Sequence, residues 1–326
     1  MSRVLLAALA GAVALAGFAF ADEAGEGEAV LLPGKVLPGA IQDPVIREML
    51  ALDAIAPFED LAPLWDWRDR ELQSEVDAAL AELDLDDDVR RKRLAVALVD
   101  VTDTKHPRVA AVNGDIMMYA ASLPKIAVLL AAFEKIAQGK MEYDAETRAT
   151  LELMIQRSDN GATTGMMHRV GKKYIARVLL SPRYRLYDPK HNGGLWVGKD
   201  YAKMGLWKRD PLHNLSHGAT AIQVARFYYL LYTEQLVTPE WSREMKDVMS
   251  GRHIDHKFVR ALREVAPRMN LSRKSGSWRT FHSDSALVER KGRAYIAVAL
   301  SNDPDGSKWM KDIIVELDRI VLAKKS

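Results

Sequence analysis

The sequence predicts an α+β fold: an antiparallel β-sheet built from both ends of the chain and flanked by helices, with an all-helical subdomain inserted. Three observations predict it. Runs of β-branched and small apolar residues occupy 94–101 and 108–113, then recur near the other end at 285–289 and 294–300. Between them, from Ser122 to about Ser250, the chain is mostly helical in pattern. The 326 residues are 48% hydrophobic and 28% charged, which suits one large domain or two subdomains sharing a cleft.

Residues 1–21 read as an export signal. Arg3 gives a short positive start, residues 4–18 are apolar and rich in alanine, and Ala19-Phe20-Ala21 offers a small-x-small cleavage site before Asp22-Glu23. An uncleaved anchor is the alternative, since the apolar stretch is near the lower limit for a span. The small residues and the Ala-x-Ala ending favour cleavage, hence a periplasmic or secreted protein with no membrane contact afterwards. No cysteine occurs, which excludes lipid attachment at an N-terminal cysteine, disulfides and a cysteine nucleophile. Residues 22–68 read as a linker, rich in Gly and Pro over 25–38, and an N-terminal extension ending in Trp65 and Trp67. The main domain is expected over 69–326.

A helix is predicted over 69–83, with Leu72, Val76, Ala79, Leu80 and Leu83 on one face. The charged stretch 84–91 separates it from the strand at 94–101, and a turn at 102–107 leads into the strand at 108–113. The apolar run from Ile126 to Phe133 reads as a buried helix with Ser122 in its first turn. Residues 181–218 carry Pro, Gly, Asn and Asp with little periodicity, and a loop this long in a compact domain points to function or disorder. Lys291-Gly292 makes the last two strands a hairpin, and an amphipathic helix follows over about 308–322. The net charge is only +2, with no clustered basic face or nucleic-acid-binding module, so no nucleic-acid partner is expected.

Three short motifs follow one another: Ser122-Leu-Pro-Lys125, Ser158-Asp159-Asn160 and Lys274-Ser275-Gly276. Alone, a Ser-x-x-Lys is nearly worthless, since a chain this long holds about one by chance. The order and settings of all three favour an active-site serine hydrolase. A serine hydroxyl is a poor nucleophile until a base takes its proton. Lys125 lies three residues on, within reach on the same helix face. A free lysine titrates near about 10.4, so half of it is neutral at pH 7 only if the site disfavours the charged form by about 4.6 kcal/mol. Burial and a second cation both push that way, and Lys274 offers the cation.

Ser158 can relay a proton to a leaving amide nitrogen while the Asn160 amide orients the lysine or the substrate. The plain alternative for this tripeptide is a helix-capping turn. Lys274 and Ser275 on an edge strand could hold a substrate carboxylate. Gly276 permits close backbone approach, and the N–H of Ser277 offers an oxyanion donor beside that of Ser122. A basic turn is the alternative there. His213 and His217, and His253 and His256, fit no metal motif and read as loop or surface histidines. His282 is a candidate for the cleft wall, whereas the aromatic residues near 196–207 and 227–232 read as packing.

This motif series resembles the penicillin-recognising serine hydrolases, and among them the class A β-lactamases, from roughly residue 94 to the C-terminus. The resemblance implies a sheet flanked by helices plus an all-helical subdomain, with no metal or organic cofactor. It implies acylation at Ser122, Lys125 as base, Ser158 as proton shuttle, and Lys274 and Ser275 receiving the carboxylate. The implied substrate is a small-molecule β-lactam or a cell-wall peptide, and the chain is read as a monomer.

Class A enzymes also carry Glu-Pro-x-x-Asn, whose Glu activates the deacylating water. No Glu lies between Lys172 and Thr233 here; what matches is Asp188-Pro189-Lys190-His191-Asn192, with a carboxylate one methylene shorter. A misplacement of about 1 Å costs roughly 100-fold in rate, so acylation is better supported than turnover. The alternative for Asp188-Pro189 is a simple turn. Ser158 follows Ser122 by 36 residues. That is shorter than expected for a typical class A enzyme, and it predicts a more open site. The expected activity is β-lactam hydrolysis through an acyl-enzyme at Ser122, with slow or moderate release through Asp188. The alternatives are a peptidase or esterase on D-Ala-D-Ala-type cell-wall peptides, and a penicillin-binding sensor or scaffold whose N-terminal extension docks a partner.

Overall fold

The computed structural model describes residues 64–251 and 254–323. The export signal, the linker and most of the N-terminal extension lie outside the described residues, as does His253. Helix α1 (Arg70–Glu82) opens the domain. Asp69 caps it by accepting from the Leu72 N–H at 2.7 Å, and Leu72, Val76, Ala79 and Leu80 form its buried face. A short helix α2 (Asp86–Arg90) leads into strands β1 (Leu94–Asp100), β2 (Arg108–Val112) and β3 (Met118–Tyr119).

Four helices come next: α3 (Lys125–Ala137), α4 (Ala145–Gln156), α5 (Asn160–Val170) and α6 (Lys172–Leu180). The irregular stretch at 181–218 is stitched by short pairings. Strand β4 (Tyr187–Asp188) pairs with β5 (Gly193–Gly194), and β6 (Trp196–Val197) pairs with β7 (His217–Ala219). In turn β7 pairs with β3, which fastens this stretch beside the start of α3. Helices α7 (Ala221–Tyr232), α8 (Pro239–Met249) and α9 (Lys257–Val265) follow. The chain then returns to strands β8 (Asn270–Trp278), β9 (Phe281–Arg290) and β10 (Arg293–Asn302), and helix α10 (Gly306–Ala323) follows them.

The five long strands form one antiparallel sheet in the order β2-β1-β10-β9-β8. Strands from the two ends of the chain therefore meet at its centre, Leu94 opposite Ser301 and Asp100 opposite Tyr295. Alternation of side chains divides the central strands between two cores. Ala95, Ala97, Val99, Ile296, Val298 and Leu300 face the core shared with α3 and α7. Leu94, Val96, Leu98, Tyr295, Ala297 and Ala299 face the core shared with α1, α9 and α10. Burial on both faces explains why these strands read as unbroken apolar runs. Lys291 and Gly292 both adopt left-handed backbone (φ 49° and 72°), the pair of positive angles that a two-residue hairpin turn demands. No described helix is long and apolar enough to cross a membrane.

Strand β8 is one edge of the sheet, and a buried ion pair holds it in place. Arg273 on β8 donates to Asp284 on β9 through Nε and Nη2 at 2.7 and 2.6 Å, and Asp284 also accepts from the Phe258 N–H of α9 at 3.1 Å. Both side chains are buried, so removing one partner strands a charge in the interior. Asp284→Ala is expected to lower stability by about 3–5 kcal/mol in urea unfolding, far beyond a surface substitution.

Candidate active site

Strand β3 runs out at Tyr119 into a tight turn that precedes α3. Leu123 N–H donates to the Ala120 carbonyl at 3.0 Å and Lys125 N–H to the Ser122 carbonyl at 3.3 Å. Ser122 thus stands just before the helix, not in its first turn. Ala121 before it takes a left-handed backbone (φ 49°), a costly state for a side-chain-bearing residue that surrounding structure must hold.

Lys125, the first residue of α3, is fully buried. Its Nζ donates to the carbonyls of Ser158 and Asp159 at 2.7 and 3.3 Å and to Asn160 Oδ1 at 2.8 Å, rather than to the Ser122 hydroxyl. Burial lowers its pKa to about 7, against the opposing pull of the Asp159 carboxylate. Ser158 turns the chain between α4 and α5 in left-handed backbone (φ 57°), and Asp159 caps α5 by accepting from the Ala162 N–H at 2.7 Å. The Ser-Asp-Asn tripeptide is therefore a cap and a contact site at once.

Lys274 on β8 approaches Ser158 from the other side. Its Nζ donates to Ser158 Oγ at 2.9 Å and to the Ser275 carbonyl at 2.6 Å. Burial first, and the Lys125 ammonium second, hold Lys274 well below the ordinary lysine range. Strand alternation places Lys274, Gly276 and Trp278 on one side of β8. A Cβ at Gly276 would lie 2.3 Å from the Ala120 carbonyl oxygen and 2.6 Å from the Ser122 nitrogen. Glycine is what lets β8 come this close to the Ser122 backbone.

The side chains of Ser275 and Ser277 meet the start of α9. His256 Nε2 lies 3.0 Å from Ser275 Oγ, and burial followed by the Arg273 guanidinium lowers this histidine to about 4. The fully buried Lys257 donates to the Gly276 carbonyl at 2.6 Å, Ser277 Oγ at 2.8 Å and the Ser283 carbonyl at 3.0 Å, with burial lowering its pKa to about 8. His282 Nδ1 is 3.4 Å from Ser277 Oγ. His256 is thus no surface histidine, and no local pattern marks Lys257, because both act on a strand some twenty residues away.

Ser122, Asn160 and Ser277 line a cavity of about 290 Å³ with Tyr119, Tyr201, His217 and Trp278. His217 and Tyr201 correct the reading of these positions as loop histidine and packing aromatic: their rings lie 4.3 Å apart at the cavity wall. Tyr201 also stands against Lys125, whose Nζ is 4.6 Å from the ring centroid, and its hydroxyl donates to the Ala121 carbonyl at 3.2 Å. Two larger hollows, of about 640 and 650 Å³, open around Met269 and Asn270 and contain none of these residues. Among the described residues no three His, Asp or Glu side chains are grouped to hold a metal ion.

Asp188 and Asn192 are not brought to this cavity. Asp188 Oδ1 accepts from the Lys190 N–H at 2.9 Å, while Oδ2 takes Arg185 Nη2 at 2.8 Å and lies 3.0 Å from His191 Nδ1. Burial pushes its pKa up, yet the bonds from Arg185 and His191 prevail and hold it below the ordinary value. Asn192 turns in left-handed backbone and donates to the Asp115 carbonyl at 2.8 Å. The Asp188-Pro189 segment is a turn with both carboxylate oxygens occupied, which corrects its reading as the deacylating group. The carboxylate that does line the cavity is Asp200, ion-paired with Lys172 at 2.8 Å and 3.0 Å from His168 Nε2. Burial raises its pKa, but these two partners outweigh burial and lower it.

The sequence profile of the beta-lactamase enzyme family matches residues 84–150 and 145–324. No curated protein matches the chain. Among solved structures, a mutant of PBP-A captured as an acyl-enzyme with penicillin G is similar at 17% identity and a TM-score of 0.61, covering 81% of this chain and 100% of its own. A β-lactamase from Sphaerobacter thermophilus DSM 20745 is similar at 16% identity and a TM-score of 0.60, over 77% of this chain and 98% of that one. A class A β-lactamase representative from Bacteroides cellulosilyticus DSM 14838 reaches 16% identity and 0.59, over 78% and 98%. At these identities the likeness shows the fold, a β-lactamase/transpeptidase-like α+β architecture.

Titration of Lys125, followed through its ε-carbon NMR shift, is expected to have its midpoint near about 7. Asp159→Asn keeps a good helix cap but removes the carboxylate that stabilises the ammonium, so the midpoint should move to lower pH. A midpoint above 9 in the parent protein would contradict the burial of this lysine.

Proposed function

The chain belongs to the beta-lactamase enzyme family, and from that premise we propose that it is an exported serine hydrolase whose Ser122 is acylated by β-lactams and related amides and released slowly. The observation that carries this reading is the junction at Ser158, gripped by Lys125 through its carbonyl and by Lys274 through its hydroxyl. With a pKa of about 7, Lys125 is substantially neutral at pH 7 and able to take the Ser122 proton. Proton transfer requires Nζ to turn from its carbonyl partners toward Oγ, and catalytic hydrogen bonds commonly tighten only once substrate is bound.

Attack by Ser122 Oγ forms the C–O bond and places negative charge on the carbonyl oxygen, which the N–H groups of Ser122 and Ser277 receive. Collapse breaks the C–N bond. The proton taken from Ser122 reaches the leaving nitrogen through the Ser158 hydroxyl, which Lys274 orients. The substrate carboxylate lies along β8 beside Lys274 and Ser275, whose hydroxyl His256 fixes.

Release needs a water and a base. Asp188 is spent in a turn, and the contacts of Asp200 with Lys172 and His168 lower its pKa and weaken it as a base. The Tyr201 ring occupies the space beside Lys125. Acylation is therefore expected to outrun hydrolysis. The same geometry suits a D-Ala-D-Ala-type peptidase or esterase that β-lactams trap, since among the described residues no free base for release lines the cavity. Export to the periplasm or exterior rests on Arg3, the apolar residues 4–18 and Ala19-Phe20-Ala21.

A fluorescent penicillin should label the parent protein, with a rate that rises as pH passes through about 7 and levels above it, because the base must be deprotonated. Ser122→Ala should abolish labelling; unchanged labelling of that variant would end the proposal. Gly276→Ala should slow labelling by roughly 100-fold or more, since its methyl drives β8 off the Ser122 nitrogen.

A further inference from the structure

We propose that Trp278 forms a subsite for a flat aromatic substituent on the acyl side of the scissile amide, an inference that rests on the acylation of Ser122 proposed above. Trp278 ends β8 and is 49% exposed, yet it lines the same cavity as Ser122. Its place on the strand explains why. Lys274, Gly276 and Trp278 alternate onto one side, where Lys274 reaches Ser158 and Gly276 abuts the Ser122 nitrogen.

Position along β8 sets which part of a substrate meets the indole. Lys274 marks the carboxylate end and Gly276-Ser277 the carbonyl. At about 3.3 Å per residue, Trp278 stands roughly 13 Å along the strand from Lys274, beyond the carbonyl on the side away from the carboxylate. That is where an acyl substituent extends.

Other aromatic residues stand near the indole. Trp278 is paired across the hairpin with Phe281, and Phe281 meets Tyr119 edge-on at 5.4 Å. Tyr119 in turn meets His217 at 6.0 Å, and His217 meets Tyr201 at 4.3 Å. Trp278, Tyr119, His217 and Tyr201 all line the cavity, Tyr201 beside Lys125. Offset or edge-to-face contact with a flat ring covers the exposed indole and gains more than area alone. A compact polar substituent would leave these rings wet.

The test compares acylation rate constants for benzylpenicillin, which carries a phenylacetyl group, and 6-aminopenicillanic acid, which carries none. The parent protein should favour benzylpenicillin by at least about tenfold. Trp278→Ala should remove most of that preference, and Trp278→Phe should restore part of it. A Trp278→Ala protein that keeps the parent ratio overturns the subsite while leaving acylation at Ser122 intact. Acylation of the parent by neither compound overturns the reading at Ser122 and the subsite with it.

Discussion

Two lysine side chains are buried on either side of Ser158, and that burial is the constraint around which the site is built. An ammonium away from water is costly unless something offsets it, and a second one nearby adds to the cost. The carboxylates that act on them are committed elsewhere, Asp159 to capping α5 and Asp284 to Arg273. The cheapest relief is for a proton to leave. Burial on the apolar helix α3 thus does chemical work, making a lysine with a pKa of about 7 out of one that would otherwise remain charged.

Holding that arrangement together requires the unusual connectivity of the sheet. Lys274 and Gly276 lie on edge strand β8, where a slip of one residue would send both to the wrong side. The buried Arg273–Asp284 pair fixes register against β9, and Asp284 ties the same point to the first turn of α9. From there His256 and Lys257 reach back to three successive residues of β8. Stability and the geometry of the cleft draw on the same few contacts, so substitutions behind the cleft are expected to disturb both.

Much of this was legible in the sequence, and the boundary between legible and hidden is physical. Helix α1 showed because Leu72, Val76, Ala79 and Leu80 repeat with helical spacing; the β9–β10 hairpin showed because Lys291-Gly292 suits left-handed backbone. The three motifs showed because Ser122–Lys125, Ser158–Asn160 and Lys274–Gly276 are each local. Tyr201, His217, His256 and Lys257 stayed hidden because their partners lie at Ala121, Tyr119, Ser275 and Gly276, contacts that only the tertiary fold creates. Asp188 misled for the converse reason. An Asp-Pro-x-x-Asn string describes a turn equally well, and the Arg185 and His191 beside it turned the carboxylate into a structural tie.

The proposed division, an acylating serine at Ser122 with no free base for release, is open to intact-mass spectrometry after one pulse of penicillin, with the unreacted drug removed. A single adduct, mapped to Ser122, is expected to persist long after the pulse and to clear far more slowly than it formed. An adduct that clears as fast as it forms would contradict that division and show that Asp200 or another group activates water after all.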